Sequence, residues 1–514
     1  MPDSAFNAPV TYLTNGTWIN SHQNVSGPYE RFYNIDAPQA DNEADIIEAM
    51  KASVIALQQI FRDALAAGKQ LRATGATWSL SDAPYTNGWL LSTDTLGNYN
   101  KMTTDEVVPE YTQDVTGLYL VQCDVSVQRL NSYLEADNRA LKTAGASNGQ
   151  TIVGAIATGT HGSAYQYGAM PEYVVGIHLI PDPDQSIWLE RASYPVITDD
   201  FAARLGVTIK RDDDLFNAAL VSFGSFGIIA AVMIETDPIY LLETRTFKLP
   251  YDDTLKQAMS TMNLLPLNLN PPGEVPWHFE ITFNPHDASA GYAKTMYKRV
   301  CPPGFQNPPI PGDQLAPGEG LLGVIGSITD KLPGAIVSVI MGLLIKSQMP
   351  LTDPADPPLQ MTPGGTFAST TTQGVAYSME LGIDRSDAGT VLDLLFSLHP
   401  EIDDYAGVIS FRWVKQSSAM IGFTKFENST TIEFNAATND RTLAWYNRIW
   451  DELAAQGIAF TLHWGQMNNF TPALVRTMYS DAVIDKWLQC RDALMTKAAQ
   501  AVFSNDFMKN TGLG

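Results

Sequence analysis

Cysteine is scarce in this chain: 514 residues hold three, Cys123, Cys301 and Cys490. They lie far apart, show no Cys-x-x-Cys spacing, and an odd number cannot all pair within one chain. A disulfide framework and a structural zinc site are therefore not expected, and no metal is assigned. Positive charge is scarce too. Lys and Arg number 32 against 55 Asp and Glu, giving a net charge of −23 and an isoelectric point near 4.6. Such a balance argues against nucleic acid or an anionic membrane as a partner held by bulk electrostatics. It suits a soluble protein whose substrate is neutral or meets a local positive patch. Long apolar runs are missing. The nearest approach to a membrane span is 335–345, closed by Lys346 and too short to cross a bilayer. The start, Met-Pro-Asp-Ser-Ala-Phe, lacks a basic stretch followed by an apolar one. No secretory signal is expected, and the cytoplasm is the expected location. Sequons at Asn15, Asn24, Asn428 and Asn469 would matter only in a secreted protein.

What is present is the material of a packed core, with 45% hydrophobic and 10% aromatic residues. The length allows two to four domains. Residues 1–40 are polar and turn-rich and read as an N-terminal arm. Over 42–68, Ile46, Ile47, Met50, Val54, Leu57, Ile60, Phe61 and Leu65 recur at helical spacing. Asn42 can cap that helix and Gly68 can close it. Residues 69–73 form a short strand that runs into Thr74-Gly75-Ala76-Thr77-Trp78-Ser79. A strand entering a loop of such small residues exposes several backbone N–H groups in one place, as pyrophosphate-holding loops do. Taken alone, most such loops are simply turns.

Residues 149–163 are small, glycine-rich and nearly uncharged, with His161 among Gly154, Gly159 and Gly162. Backbone of this kind can lie very close to something flat or phosphorylated. Further on, a helix within 214–223 meets a turn at Gly224 and Gly227, and an apolar strand follows over 228–235. Composition changes near Ile239, and 265–315 are rich in proline. Residues 321–346 are apolar and read as a helical insertion able to cap a pocket, with ordinary core or a subunit contact as the plain alternative. Strands are read at 374–383, 407–415, 430–435 and 459–464, and helices at 385–398, 440–456 and 481–503. Short strands mixed with a few helices predict an α+β class rather than a doubly wound sheet.

The order of motifs resembles that of the FAD-linked oxidases of the vanillyl-alcohol oxidase/p-cresol methylhydroxylase superfamily, nearest the alditol oxidase/aldonolactone oxidoreductase branch. Four pieces carry the resemblance, which runs over about 40–240 and resumes from about 405. They are Arg72 to Ser79, the segment Gly154 to Ser163 with its Thr-Gly-Thr-His-Gly-Ser, Phe223-Gly224-Ser225-Phe226-Gly227-Ile228-Ile229, and His463-Trp464-Gly465-Gln466. The resemblance implies a PCMH-type FAD-binding domain of two subdomains, about 1–100 and 101–240. A substrate domain with a mainly antiparallel sheet flanked by helices would follow over 241–458. A segment over 459–514 would return to the FAD domain. It also implies FAD as cofactor, held by Thr74, Gly75, Ala76, Thr77, Trp78, Ser79, Thr151, Gly154, Thr158, Gly159, His161, Gly162, Ser163, Gly227, Ile228 and His463. For His161, a structural histidine donating to backbone is the plain alternative, and for Arg412 a partner to one of the many carboxylates.

The departures are informative. Many members bond FAD covalently through a histidine in the first loop, and Trp78 stands in its place, so noncovalent FAD is expected. On the substrate side the alditol-oxidase pattern has Glu-x-Arg, His-x-Thr and a lysine after His-Trp-Gly. Here those positions read Ser410-Phe411-Arg412, Glu433-Phe434-Asn435 and Gln466, so a polyol substrate does not carry over. The expected catalytic set is Glu433, Arg412, Asn435 and Gln466. Glu433 is the candidate base, because strand alternation places it on one face with Asn435, and Arg412 is a candidate charge stabiliser. The expected activity is hydride transfer from a CH–OH carbon of a small molecule to flavin, with oxygen as acceptor. A dehydrogenase using another acceptor and a degenerate flavin-binding protein are the alternatives.

Overall fold

The computed structural model describes residues 6–310, 321, 325, 334–353, 355, 357–370, 375–398 and 405–514. Residues 311–320, 322–324 and 326–333, most of the stretch before the apolar helix, lie outside them. Among the described residues no helix is long and apolar enough to cross a membrane.

Three larger sheets organise the chain. The first has the order Val10–Ile19, Ser26–Ile35, Trp89–Ser92, Leu71–Thr74. The first two strands form an antiparallel hairpin, and the rest pair in parallel. This corrects the reading of 1–40 as an arm. Alternation there is masked because most of the first strand is exposed at the sheet edge. The second sheet has six strands, with Ile228–Glu235 at its centre between Val174–Asp182 and Leu118–Gln122. The third has eight strands, all antiparallel, between Tyr240 and Leu462.

The helix Glu43–Ala67 joins the first two sheets. Asn42 accepts from the Asp45 amide at its start, and Gly68 closes it in the left-handed conformation at φ 60°. Its first turns pack Ile46, Ile47 and Met50 against Trp188 and Phe201. Later turns put Leu57 and Phe61 into the core with Tyr33 and Leu71.

The chain end returns to this half of the molecule as helices Pro472–Tyr479, Asp481–Leu494, Lys497–Val502 and Asp506–Thr511. Residues 481–503 are thus two helices, broken at Met495 and Thr496. Arg491, fully enclosed, donates to the carbonyls of Ser225, Leu513 and Gln500. Asn505 donates to the carbonyl of Tyr85.

In the third sheet, Gly407–Lys415 pairs with Asn428–Ala437 in unbroken register, and the latter pairs with Ala376–Asp384. Alternation then puts Ser410 and Arg412, Glu433 and Asn435, and Ser378 and Glu380 on one face. The apolar helix Gly334–Gln348 covers one end of it. Met341, Leu344 and Ile345 pack there against Val408, Ala437 and Tyr292. The other face, through Phe279, Ile281, Phe283 and Phe411, belongs to the main core.

Candidate active site

One elongated cavity runs from the end of the first sheet to the polar face of the third. Its first wall is the loop after Leu71–Thr74. Thr74, Gly75, Ala76, Thr77, Trp78 and Ser79 all line it. Thr77 has φ 57°, in the left-handed region, which turns the loop sharply. Among the described residues, the amides of Gly75, Ala76, Thr77 and Trp78 meet no acceptor. Unpaired N–H groups beside a cavity are the donors an anionic bridge requires. Gly75 is needed for a spatial reason: a Cβ there would lie 2.6 Å from Thr151 Oγ1.

Arg72 lies under this loop. Its guanidinium is fully buried and donates to the carbonyls of Ala83, Phe503 and Phe223, with no carboxylate in salt-bridge contact among the described residues. Burial first, and the neighbouring Arg491 second, bring its pKa down to about 9. Its Nε has no partner among the described residues. The cavity therefore has a buried cation beside the open amides, which suits a diphosphate.

The second wall is 149–163. It is not an extended run throughout: residues Ile152–Thr158 form a short helix capped by Thr151, whose Oγ1 accepts from the Gly154 amide at 3.3 Å. Thr151, Gly154, Thr158 and His161 line the cavity. Gly159, Gly162 and Ser163 do not. Gly159 closes the helix at φ 82°. Ser163 instead joins the two halves of the molecule: it donates to the Phe279 carbonyl and accepts from the Trp413 amide at 3.1 Å. The third wall is the turn at Phe223 and Gly224 with Gly227, Ile228 and Ile229. Gly227 has φ 106°, and a Cβ there would lie 2.2 Å from the Ile180 carbonyl oxygen.

The far end is built from the third sheet and the His463-Trp464-Gly465-Gln466 turn. Trp464 is buried, donates to the Ile421 carbonyl at 2.7 Å, and packs on Phe223 and Tyr479. That anchor sets His463 and Gln466 at the cavity. The Gly465 carbonyl accepts from the Leu80 amide at 2.8 Å, so this turn is fastened to the loop after Ser79. His463 Nδ1 accepts from the Gly465 amide at 3.0 Å. Burial brings the His463 pKa down to about 4, so the ring is neutral and its Nε2 carries the hydrogen.

Arg412 lies at the centre of a buried charge cluster. It donates to Glu433 at 2.7 Å and to Glu280 at 3.1 Å, and it comes within 4.0 Å of Glu380. Lys294 pairs with Glu280 at 2.9 Å. Burial alone would lower the Arg412 pKa, but the three carboxylates hold it above the ordinary arginine value. Gln466 Nε2 donates to both Glu380 and Glu433 at 3.3 Å, while its Oε1 accepts from Ser378 at 2.6 Å. Glu433, Arg412 and Gln466 thus share the cavity with the loop of Thr74–Ser79. Asn435 does not line it. It is buried one pair further along, and neither of its side-chain polar atoms has a partner among the described residues.

Sequence reasoning missed Glu380, which lines the cavity and accepts from His161 at 3.0 Å. The only signal for it was the alternation of its strand, which marks a face but not a pocket. It also missed His22, brought to the cavity by the first hairpin and set edge-on to Trp78. Cys123 lines the cavity as well, and burial pushes its thiol pKa up, which disfavours the thiolate.

Fold and cavity together define a flavin-binding protein. Residues 49–187 match the family described as FAD binding domain. The fold is similar to that of cholesterol oxidase from B. sterolicum, with a TM-score of 0.66, 12% identity, and coverage of 98% of this chain and 97% of that one. Residues 49–187 are thus similar to an FAD-binding domain, and the fold as a whole is that of the cholesterol oxidase. The chain is 26% identical to a D-arabinono-1,4-lactone oxidase of Yarrowia lipolytica, over 40% of this chain and 35% of that protein. It is 24% identical to an L-gulono-1,4-lactone dehydrogenase of Mycobacterium tuberculosis, over 51% of this chain and 50% of that protein. The matches to the yeast lactone oxidases span about a third of their length (35% and 31%).

Proposed function

We propose that this protein is an FAD-dependent oxidoreductase that oxidises a CH–OH carbon of a small molecule and passes the electrons to oxygen. The observation that carries it is one continuous cavity. It joins the open amides of Gly75 to Trp78 to the Glu433–Arg412–Gln466 cluster. When bound, FAD supplies the hydride acceptor. The loop of Thr74–Ser79 and Arg72 would hold its diphosphate, with Thr151, Gly154 and His161 lining the rest of the cavity.

Glu433 takes the hydroxyl proton of the substrate on Oε1. Arg412 fixes the opposite oxygen, and Gln466, itself held by Ser378, orients the carboxylate. His463 presents a neutral Nε2–H to the same space. The replacement of the polyol-pattern ligands by Ser410, Glu433 and Gln466 favours a substrate with a larger or less hydroxylated body than a sugar alcohol.

Glu433→Gln tests this reading. General-base catalysis contributes about 10²–10⁴-fold. Flavin bleaching under nitrogen by a responsive substrate, drawn from alcohols, lactones, sugars and sterol-like compounds, should slow by that factor while FAD affinity holds. An unchanged bleaching rate would refute the assignment. Bleaching by none of the panel would leave a flavin-binding protein without this activity. A dehydrogenase is the second reading, favoured by the name of the mycobacterial relative. Reduced enzyme that needs minutes in air to reoxidise would establish it over the oxidase.

We also propose that FAD is held noncovalently, since Trp78 occupies the loop and cannot readily form the bond. Acid precipitation should leave a colourless pellet. A yellow pellet would refute this and direct attention to His22.

A further inference from the structure

We propose that His161 carries a proton on both ring nitrogens, so that it places a fixed positive charge beside the flavin cavity and raises the reduction potential of bound FAD. Its flavin part rests on the assignment of this cavity to FAD, whereas its protonation part does not.

The hydrogen bonds require the protons. Nδ1 lies 2.8 Å from the Gly162 carbonyl oxygen, which can only accept. Nε2 lies 3.0 Å from Glu380 Oε1, and the other Glu380 oxygen already accepts from Gln466. A neutral ring has one hydrogen for two acceptors. Either His161 is an imidazolium or Glu380 is a carboxylic acid, and the surroundings favour the first. Arg412 comes within 4.0 Å of Glu380, and Gln466 Nε2 donates to its second oxygen at 3.3 Å, so the carboxylate form is the one these neighbours stabilise.

Charge balance agrees. The groups facing this pair are Glu380 on its own strand, Arg412 and Glu433 on the neighbouring strands, and His463 and Gln466 from the following turn. Glu280 and Lys294 lie behind Arg412. His463 and His278 have pKa values lowered by burial and stay neutral. Three carboxylates therefore face two fixed cations, and the His161 imidazolium closes the deficit. An uncompensated buried charge would be costly. Both His161 and Glu380 side chains are almost fully enclosed, at 3% exposure each, so water screens the charge little. His161 also lines the flavin cavity, where a positive charge favours a bound group that gains negative charge on reduction.

The test uses the full chain labelled with ¹⁵N-histidine, without and with FAD. The chain holds seven histidines, and His161→Gln identifies the relevant pair of signals. At neutral pH both ring nitrogens of His161 should resonate as protonated nitrogens. In Glu380→Gln the Nε2 signal should move to the position of an unprotonated one. A wild-type spectrum with only one protonated ring nitrogen overturns the proposal, whatever the flavin result. If His161→Gln does not fold, the signals that move in Glu380→Gln identify the residue. The midpoint potential of FAD in His161→Gln, measured against a reference dye, should fall. A tenfold loss in preference for the reduced form corresponds to about 30 mV for a two-electron couple. An unchanged potential in a folded, FAD-loaded variant overturns the flavin part, because a merely structural role would alter stability and leave the potential in place.

Discussion

Gly75→Ala probes the flavin cavity with a single methyl group. The added Cβ would lie 2.6 Å from Thr151 Oγ1 and 2.7 Å from its Cγ2. No real side chain tolerates such a separation, so either the loop or Thr151 must move. Overpacking of this kind costs about 1–3 kcal/mol. Thr151 also caps the Ile152–Thr158 helix through the Gly154 amide. Displacing its hydroxyl forfeits about 1 kcal/mol more. Both the amide-bearing loop and the helix line the cavity, so much of the cost falls on the bound state. FAD affinity, titrated by quenching of flavin fluorescence, should fall by about 5–150-fold, since each 1.4 kcal/mol is a factor of ten. Thr151→Ala removes both clashing atoms and should weaken the cap by about 1 kcal/mol alone. In the double variant it makes room for the methyl, so the two losses should not add, and the coupling should reach about 0.5–3 kcal/mol. Two results would refute the reasoning: FAD affinity in Gly75→Ala within twofold of the parent, or a double variant whose losses simply add. The first would mean the loop is free to shift. The second would mean that the contact with Thr151 is not what constrains it.

Ser163→Ala removes the hydroxyl that links the Phe279 carbonyl to the Trp413 amide, leaving both groups buried and short of a partner. Urea denaturation should show a loss of about 1–3 kcal/mol, with FAD affinity less affected because Ser163 does not line the cavity. His178 lies in the centre of the second sheet, and burial brings its pKa down to about 4. The unfolded chain binds that proton near the ordinary value of 6.5, so stability from this residue is complete above 6.5 and is lost as pH falls towards 4. His178→Gln should flatten this part of the stability–pH curve, by up to about 3 kcal/mol at 1.36 kcal/mol per pKa unit. A curve of unchanged slope would show that other groups carry the acid sensitivity. Arg412→Lys keeps one charge but cannot span Glu280 and Glu433 together. Substrate-driven bleaching should slow about as far as in Glu433→Gln, and parent-like rates would contradict the role given to the pair.

The sequence by itself determined the local pieces. Helical spacing from Ile46 to Leu65, with Asn42 and Gly68 at the ends, placed the long helix to within a residue. Such signals need only neighbours a few positions away. Small residues from Thr74 to Ser79 and glycines at 224 and 227 marked turns where backbone approaches something closely, and the resemblance said what that something was. The hairpin of Val10–Ile19 and Ser26–Ile35 escaped, because an edge strand facing solvent loses its alternation. Glu380 escaped for a different reason. It lies 219 positions from His161, and nothing local distinguishes it from a carboxylate on a wetted strand. Only the register of Ala376–Asp384 against Asn428–Ala437, and the stitching of Ser163 to Phe279 and Trp413, bring it against the flavin wall. The same register gave Glu433 its partners and left Asn435 outside the cavity lining. Which residues share a pocket is set by pairings between distant strands, and local spacing does not encode them.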